Sequence, residues 1–178
     1  GLDPGTRRCG YCLIEVDSSS LSILTIGTWN LNQGSSTRPL GERLERLSED
    51  LAVLLDQHNP RIVGLEKAVA FKNIPSALTL SEARGVLRLG LYQKLSAASE
   101  RLIELSPTEI KRVATGSGAS NKASVQKVLS MRFQQLSKQI NDTAFSSDAF
   151  DALAIAWTAW IVHNKRNGIK ARSQIRPE

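Results

Sequence analysis

Four acidic residues occupy positions from which they could bind metal ions. Asp148 and Asp151 lie three residues apart where a long apolar helix is predicted to begin. Residues at this spacing share one helix face, so the two carboxylates project together. Because like charges this close repel each other, the pair indicates that a cation lies between them.

The other two acids each stand at the end of a predicted strand. Asp3 precedes a Pro-Gly turn, and Glu66 ends a short apolar run. Binding sites in open α/β sheets cluster at strand ends, so adjacent strands could bring Asp3 and Glu66 together. Oxygen ligands select Mg²⁺ or Mn²⁺, and four carboxylates can hold two such ions roughly 4 Å apart for phosphodiester cleavage. Each acid alone also has a structural explanation, as a turn residue or a helix-dipole partner, so spacing leaves the metal site a hypothesis.

The elements that position these acids follow from the apolar patterns. The predicted order is strands 1–5, 10–16 and 21–31, helix 39–57, strand 61–66, helix 75–97, strand 101–105 and helices 107–114, 119–133 and from 147 onward. Short links between the first three strands predict an antiparallel meander. The whole order predicts an α/β fold in which helices flank a mixed five-stranded sheet. The helix over 75–97 is apolar around a wide surface, which indicates a central helix or one buried on two sides, as in a dimer.

Composition limits the class of protein and of partner. The 178 residues correspond to about one domain, and 41% of them are hydrophobic, which is sufficient for a core. A net charge of +6 favours a polyanionic partner, while 5% aromatic residues disfavour an extended base-stacking platform. The absence of a long apolar run and of a signal peptide predicts a cytoplasmic protein with no membrane partner. The chain opens at Gly1 within a predicted strand, so we expect further residues upstream.

Two cysteines, Cys9 and Cys12, form a C-x-x-C pair. The pair could be half of a zinc site, but only His58 and His163 could complete it. A redox pair should open a helix, whereas residues 11–16 have the pattern of a strand. We therefore interpret both residues as ordinary strand cysteines.

Four blocks of sequence resemble the RuvC-type Holliday-junction resolvases, in the family's order and at its spacing. The blocks are Gly1–Gly5 with Gly10 and Tyr11; Glu66 with 71–73, 76–78 and 83–85; Lys111 with 116–118, Lys122 and Gln126; and Asp148–Ala156. The resemblance implies an RNase H-like fold and a crossover junction endodeoxyribonuclease. Such an enzyme nicks two opposed strands of a four-way DNA junction symmetrically, with Mg²⁺ (or Mn²⁺), in recombination and repair. The resemblance also implies a homodimer that works with the RuvA and RuvB branch-migration proteins.

The same resemblance implies residue roles. The catalytic and metal-binding acids are Asp3, Glu66, Asp148 and Asp151, and Lys111 and Lys122 match basic positions near the scissile backbone. The expected DNA contacts are Phe71, Lys72, Asn73, Arg84, Lys111 and Lys122, although Arg84 has a second interpretation as a solvated helix charge. The family's aromatic residue three positions after Glu66 is replaced by Val69, and Phe71 is the candidate substitute.

Three other interpretations fit parts of the sequence. The segment from Gly116 to Lys122 resembles a phosphate-binding loop, but Asn121 stands where a Walker A motif requires glycine. Asp-x-Gly after a strand also opens actin-like ATPases, which need a second domain and a second phosphate loop. A junction-binding protein without nuclease activity is the remaining alternative.

We predict a nuclease domain over residues 1–164 and a basic tail over residues 165–178.

Overall fold

The computed structural model describes residues 1–17, 21–32, 38–67, 74–133 and 146–168. Its strands are β1 (Leu2–Asp3), β2 (Arg8–Val16), β3 (Leu21–Asn30), β4 (Val63–Glu66) and β5 (Leu102–Leu105). They form one sheet in the order β3-β2-β1-β4-β5. The pairs among β1, β2 and β3 are antiparallel, whereas β4 pairs in parallel with both β1 and β5. The predicted meander and mixed five-stranded sheet are therefore confirmed.

The helices of the described ranges are α1 (Leu40–His58), α2 (Ile74–Lys94), α3 (Ala98–Arg101), α4 (Pro107–Thr115), α5 (Lys122–Arg132) and α6 (Ser147–Arg166). The single helix predicted over 75–97 ends at Lys94, and Ala97, with a φ of 53°, turns the chain into α3, which the sequence did not predict. Helix α5 begins at Lys122 instead of residue 119 because the Asn121 side chain accepts a hydrogen bond from Ser124 N at 2.8 Å and caps it. No helix in these ranges is long and apolar enough to cross a bilayer.

Side chains alternate along the strands, so the sheet carries a different hydrophobic core on each face. Helices α1 and α2 cover one face, where Val63 and Leu65 of β4 point. Helices α4, α5 and α6 cover the other face, and Gly64 lies against α6. Glu66 follows the same alternation as Gly64, which directs its carboxylate to the face beneath α6.

Helix α6 lies close to the centre of the sheet because two glycines leave room for it. A Cβ atom on Gly10 would lie 2.0 Å from the carbonyl oxygen of Asp148, and a Cβ on Gly64 would lie 2.8 Å from the Cβ of Ala159. Any larger side chain at Gly10 would push the start of α6 away from the strands.

The start of α6 is also held by hydrogen bonds. Ser146 caps the helix by accepting a hydrogen bond from Ala149 N at 3.2 Å. The same hydroxyl lies 2.5 Å from Thr28 Oγ1 in β3, and Gln126 of α5 donates to Ser147 Oγ at 3.1 Å. These protein–protein hydrogen bonds hold the first turn of α6 above the strands without the help of a ligand.

Candidate active site

The sheet register places the two strand acids side by side. Leu2 of β1 pairs with Leu65 of β4, so the residues that follow them, Asp3 and Glu66, are neighbours on adjacent strands. Leu2 and Leu65 both belong to the core beneath α1 and α2, so the next residues point to the opposite face. Asp3 and Glu66 line the same cavity there, as the sequence led us to expect.

Helix α6 brings the second pair of acids to the same place. Asp3 pairs with Gly10 across β1 and β2, and the backbone of Asp148 lies directly over Gly10. Carboxylate oxygens of Asp3, Asp148 and Asp151 lie within 4.8 Å of one another. The three acids can therefore share a cation.

A cavity of about 270 Å³ opens beside this cluster. Its polar lining consists of Asp3, Glu66, Asp151, Lys111 and Lys122, and its apolar lining consists of Pro107, Ile110, Val125, Ala154 and Ile155. Asp3 and Asp151 belong both to the three-acid cluster and to the cavity. They therefore connect Asp148 on one side of the site with Glu66 on the other.

Two side-chain cations offset part of the repulsion between the acids of α6. Lys122 Nζ forms an ion pair with Asp151 Oδ2, and Arg8 Nε lies 3.0 Å from Asp148 Oδ2. Each of the two acids thus has one side-chain cation beside it. Asp148 Oδ2 is nevertheless buried and receives no well-directed hydrogen bond from any described residue, so its acceptor capacity stays available to a metal ion.

Arg8 was missed by the sequence analysis. It lies two residues before Gly10 on β2, so both residues face α6. Once Gly10 is paired with Asp3, this period-two spacing identifies Arg8 as a neighbour of the site. The signal was therefore present, but it depended on the register between β1 and β2.

Burial and mutual repulsion raise the pKa values of the acids. The pKa of Asp3 rises from 3.8 to about 8, mainly through burial and then through the charges of Asp151, Glu66 and Asp148. Burial, followed by the charge of Asp151, also raises the pKa of Glu66. Burial raises the pKa of Asp151 although the hydrogen bond from Lys122 acts against it. For Lys122 the largest influence, burial, lowers the pKa, but the hydrogen bond and charge of Asp151 together with the other acids outweigh it and the pKa is raised. Clustered groups with displaced pKa values are typical of functional sites.

The remaining predicted site residues fall into three groups. Lys111 lies on α4, which follows β5 directly, and it lines the cavity. Arg84 Nε donates to the Glu66 carbonyl oxygen at 2.9 Å and its Nη2 donates to Glu104 Oε1 at 2.9 Å. The side chain of Arg84 is only 13% exposed, so its interpretation as a solvated helix charge is wrong. The predicted contacts Phe71, Lys72 and Asn73 lie outside the described residues, as does Val69.

Cys9 and Cys12 are free and buried, as the interpretation of ordinary strand cysteines requires. Cys9 belongs to the core under α1 and α2, whereas Cys12 belongs to the core on the other face. Burial raises the pKa of both thiols, that of Cys12 to about 12. Two side chains on opposite faces of the sheet cannot bind one zinc ion or form a disulfide with each other.

Comparisons with known proteins cover most of this chain. A family model described as crossover junction endodeoxyribonuclease RuvC matches residues 1–159. The RuvC protein of Pseudothermotoga lettingae is 32% identical over 164 residues, which cover 92% of this chain and 94% of that protein. The RuvC protein of Thermotoga petrophila is 34% identical over 157 residues, 88% of each.

Solved structures show the same fold. Thermus thermophilus RuvC in complex with a Holliday junction substrate matches with a TM-score of 0.74 at 22% identity, over 95% of this chain and 94% of that chain. A second structure of Thermus thermophilus RuvC gives a TM-score of 0.73 over 95% of each chain. The predicted RNase H-like fold is therefore confirmed.

Proposed function

This chain belongs to the crossover junction endodeoxyribonuclease RuvC family, and from that premise we propose that it nicks two opposed strands of four-way DNA junctions symmetrically. The observation that carries the proposal is the convergence of Asp3, Asp148 and Asp151 on one face of the sheet, with Glu66 in the adjoining cavity. Binding a junction without cleaving it would need no such set of carboxylates, so the nuclease-inactive alternative is not favoured. The work of such an enzyme is recombination and repair of DNA in the cytoplasm.

The four acids, we infer, hold two Mg²⁺ ions, with Mn²⁺ as a substitute. Carboxylate oxygens are the ligands that these hard cations prefer, and Asp148 Oδ2 is buried with free acceptor capacity. When bound, the ions activate a water molecule and stabilise charge on the attacking and leaving oxygens. Because the pKa of Asp3 is about 8, Asp3 must release a proton before it can act as a ligand.

Lys111 and Lys122 are assigned the stabilisation of negative charge on the phosphate under attack. Both ammonium groups approach the cavity from helices on the face that also carries Asp3 and Glu66. Lys122 is paired with Asp151, so part of that pairing must be exchanged when the lysine contacts a phosphate. Further contacts to the junction are assigned to Phe71, Lys72 and Asn73, which follow Glu66 in the chain.

A homodimer would place one active site at each of two opposed strands. Helix α2 offers a suitable surface, because a stripe of its apolar side chains is between 53% and 69% exposed. The stripe consists of Ile74, Leu78, Leu89 and Tyr92. Spacings of 4, 11 and 3 residues keep these side chains on one helix face, away from the face buried by Ala83, Leu87 and Leu91. An exposed apolar stripe of this kind is typical of an interface between proteins. The partners RuvA and RuvB are proposed from the family resemblance alone.

Substitution of one ligand tests the proposed reaction. Glu66→Gln keeps the size of the side chain but removes its negative charge, so nicking of a synthetic four-way junction with Mg²⁺ should fall by about a thousandfold or more. Binding of the same junction, measured by gel shift, should survive. Glu45→Gln on the exposed surface of α1 is the matched control and should nick normally.

Two results would count against the proposal. Normal nicking by Glu66→Gln would remove the role of Glu66. Junction binding by the unmodified protein without nicking under any divalent cation would favour the nuclease-inactive alternative.

A further inference from the structure

Arg84 holds the end of β4 from the face of the sheet opposite the site. Its guanidinium donates from Nε to the Glu66 carbonyl oxygen and from Nη2 to Glu104 Oε1, both at 2.9 Å. Ile103 and Leu105 of β5 point into the core under α4 to α6, so Glu104 between them points to the side of α2. Arg84 therefore contacts the backbone of Glu66 while the Glu66 carboxylate faces the cavity on the other side.

We propose that Arg84 is a positioning residue for Glu66 and not a DNA contact, an inference that rests on the metal-binding role proposed for Glu66. The Arg84 side chain is 13% exposed and donates hydrogen bonds to both a carbonyl and a carboxylate. Its donors are therefore used within the protein and not for DNA. The carbonyl that Arg84 holds belongs to the last residue of a four-residue strand. Fixing this peptide plane fixes the direction in which the Glu66 side chain leaves the backbone.

The contact between Arg84 and Glu66 joins two parts of the chain that flank the predicted DNA contacts. The segment between β4 and α2 contains Phe71, Lys72 and Asn73, the predicted DNA contacts, and Arg84 lies beyond that segment on α2. Lys67 N donates to the Leu105 carbonyl oxygen at 2.7 Å, which ties the same strand end to β5. With Arg84 and this bond in place, the orientation of Glu66 does not depend on how the following segment meets DNA.

Arg88 provides a matched comparison on the same helix. It lies one turn after Arg84, and its Nη1 reaches the same Glu104 Oε1 at 4.0 Å. Its side chain is 52% exposed and pairs with Glu104, not with the backbone of Glu66. Arg88 thus has the same charge and the same carboxylate partner without the contact that would position Glu66.

The test compares Arg84→Gln, Arg84→Lys and Arg88→Gln in the full chain. Three quantities are measured: the single-turnover nicking rate at saturating junction, the Kd for the junction in Ca²⁺, and the Kd for Mn²⁺ by calorimetry without DNA. Residues that orient metal ligands typically contribute 10–100-fold, so Arg84→Gln should lower the nicking rate and weaken Mn²⁺ binding by about tenfold or more. Its junction Kd should stay within about twofold, because the contact is internal to the protein. Arg84→Lys should be intermediate, since lysine lacks the fork that reaches both oxygens, and Arg88→Gln should match the unmodified protein.

Several outcomes would overturn the proposal. A junction Kd weakened by Arg84→Gln with an unchanged rate at saturation would make Arg84 a DNA contact. Equal effects of Arg84→Gln and Arg88→Gln on Mn²⁺ affinity would show that Arg84 acts only through its positive charge and not through its contact with Glu66. If Arg84→Gln does not fold, Glu104→Gln decides the matter: it leaves the Arg84 contact to Glu66 less restrained, so a rate unchanged from the unmodified protein would count against positioning, and a severalfold loss would support it.

Failure of this inference differs from failure of the proposed function. If the unmodified protein nicks no junction with any divalent cation, the proposed function fails. The effect of Arg84→Gln on Mn²⁺ affinity would still be measurable in that case, because calorimetry requires no cleavage.

Discussion

The strand half and the helix half of the site hold their acids in different ways. Asp3 and Glu66 stand on neighbouring strands, and the backbone of Glu66 is held by the largely buried Arg84. Asp148 and Asp151 stand on the first turn of α6, where each carboxylate faces a cation whose side chain is mostly exposed, 62% for Arg8 and 55% for Lys122. The strand half is therefore fixed through the backbone, and the helix half is neutralised by side chains that can leave.

This difference indicates which contacts of the site can break when a metal ion or a phosphate binds. Arg8 and Lys122 are mostly exposed, so water can solvate either cation when it leaves its acid, and a bound metal ion would offset the charge of that acid. Disturbing a strand end would require a change in the sheet and in the buried arginine behind it. We therefore expect substitutions in the strand half to abolish nicking. Substitutions of the two cations should change the nicking rate or the metal affinity without abolishing nicking.

The largest effect is expected for Asp3→Asn, which removes one of the two acids shared by the cluster and the cavity. Nicking should fall by about a thousandfold or more if Asp3 is the metal ligand that we propose. In EDTA the same variant should be more stable than the unmodified protein at pH 7.5, with a Tm higher by about 5 °C. Calorimetric unfolding across pH values measures the second effect.

The sign of this stability change follows from the raised pKa of Asp3. Its carboxyl group has a pKa of about 8 in the folded protein and 3.8 as its ordinary value, so the unfolded chain loses the proton first as the pH rises. The folded state in EDTA is therefore penalised progressively between about pH 4 and pH 8. The advantage of Asp3→Asn should shrink towards pH 4. Asp56→Asn, in an exposed ion pair with Lys94, is the control and should change the Tm little at any pH.

A smaller effect is expected for Lys122→Gln. Loss of the cation proposed to stabilise the phosphate should lower the nicking rate by about a hundredfold, while Mn²⁺ should bind somewhat more tightly because Asp151 loses its competing partner. Single-turnover assays and calorimetry separate the two quantities. The exposed Lys127→Gln on the same helix is the control. Weaker Mn²⁺ binding by Lys122→Gln would contradict the idea that the helix half exchanges its cations.

The smallest effect is expected for Arg8→Gln, which frees Asp148 from an exposed arginine. Mn²⁺ affinity, measured by calorimetry, should rise by about threefold. The exposed neighbour Arg7→Gln tests whether any loss of nearby positive charge has the same effect. In an Asp148→Asn background the gain should vanish, and a gain that persists there would show that Arg8 acts through the general field of the site.

The residues that were predictable from sequence are those whose environment is local. Helix periodicity and caps located α1, α2, α4 and α6, and a local capping box of Ser106 and Glu109 begins α4. Asn121 moved the start of α5 by three residues, and Ala97 interrupted the helix predicted over 75–97, because single residues in a cap or a left-handed conformation determine such boundaries. Arg84 and Arg8 were not assignable to their partners, because those contacts depend on which helix covers which face of the sheet.

By itself the sequence determined the order of elements, which follows from periodicity along the chain, and it identified four acids as candidate ligands from residue type and position. Lys111 and Lys122 became candidates only through the family resemblance. The sequence also determined membership of the RuvC family, because that rests on motifs in a fixed order. Only the tertiary structure decided that Asp3 joins Asp148 and Asp151 in one cluster while Glu66 faces the adjoining cavity. It also decided that Arg84 supports the site from the opposite face. The physical reason is that strand register and the close approach of α6 over Gly10 are products of packing the whole chain.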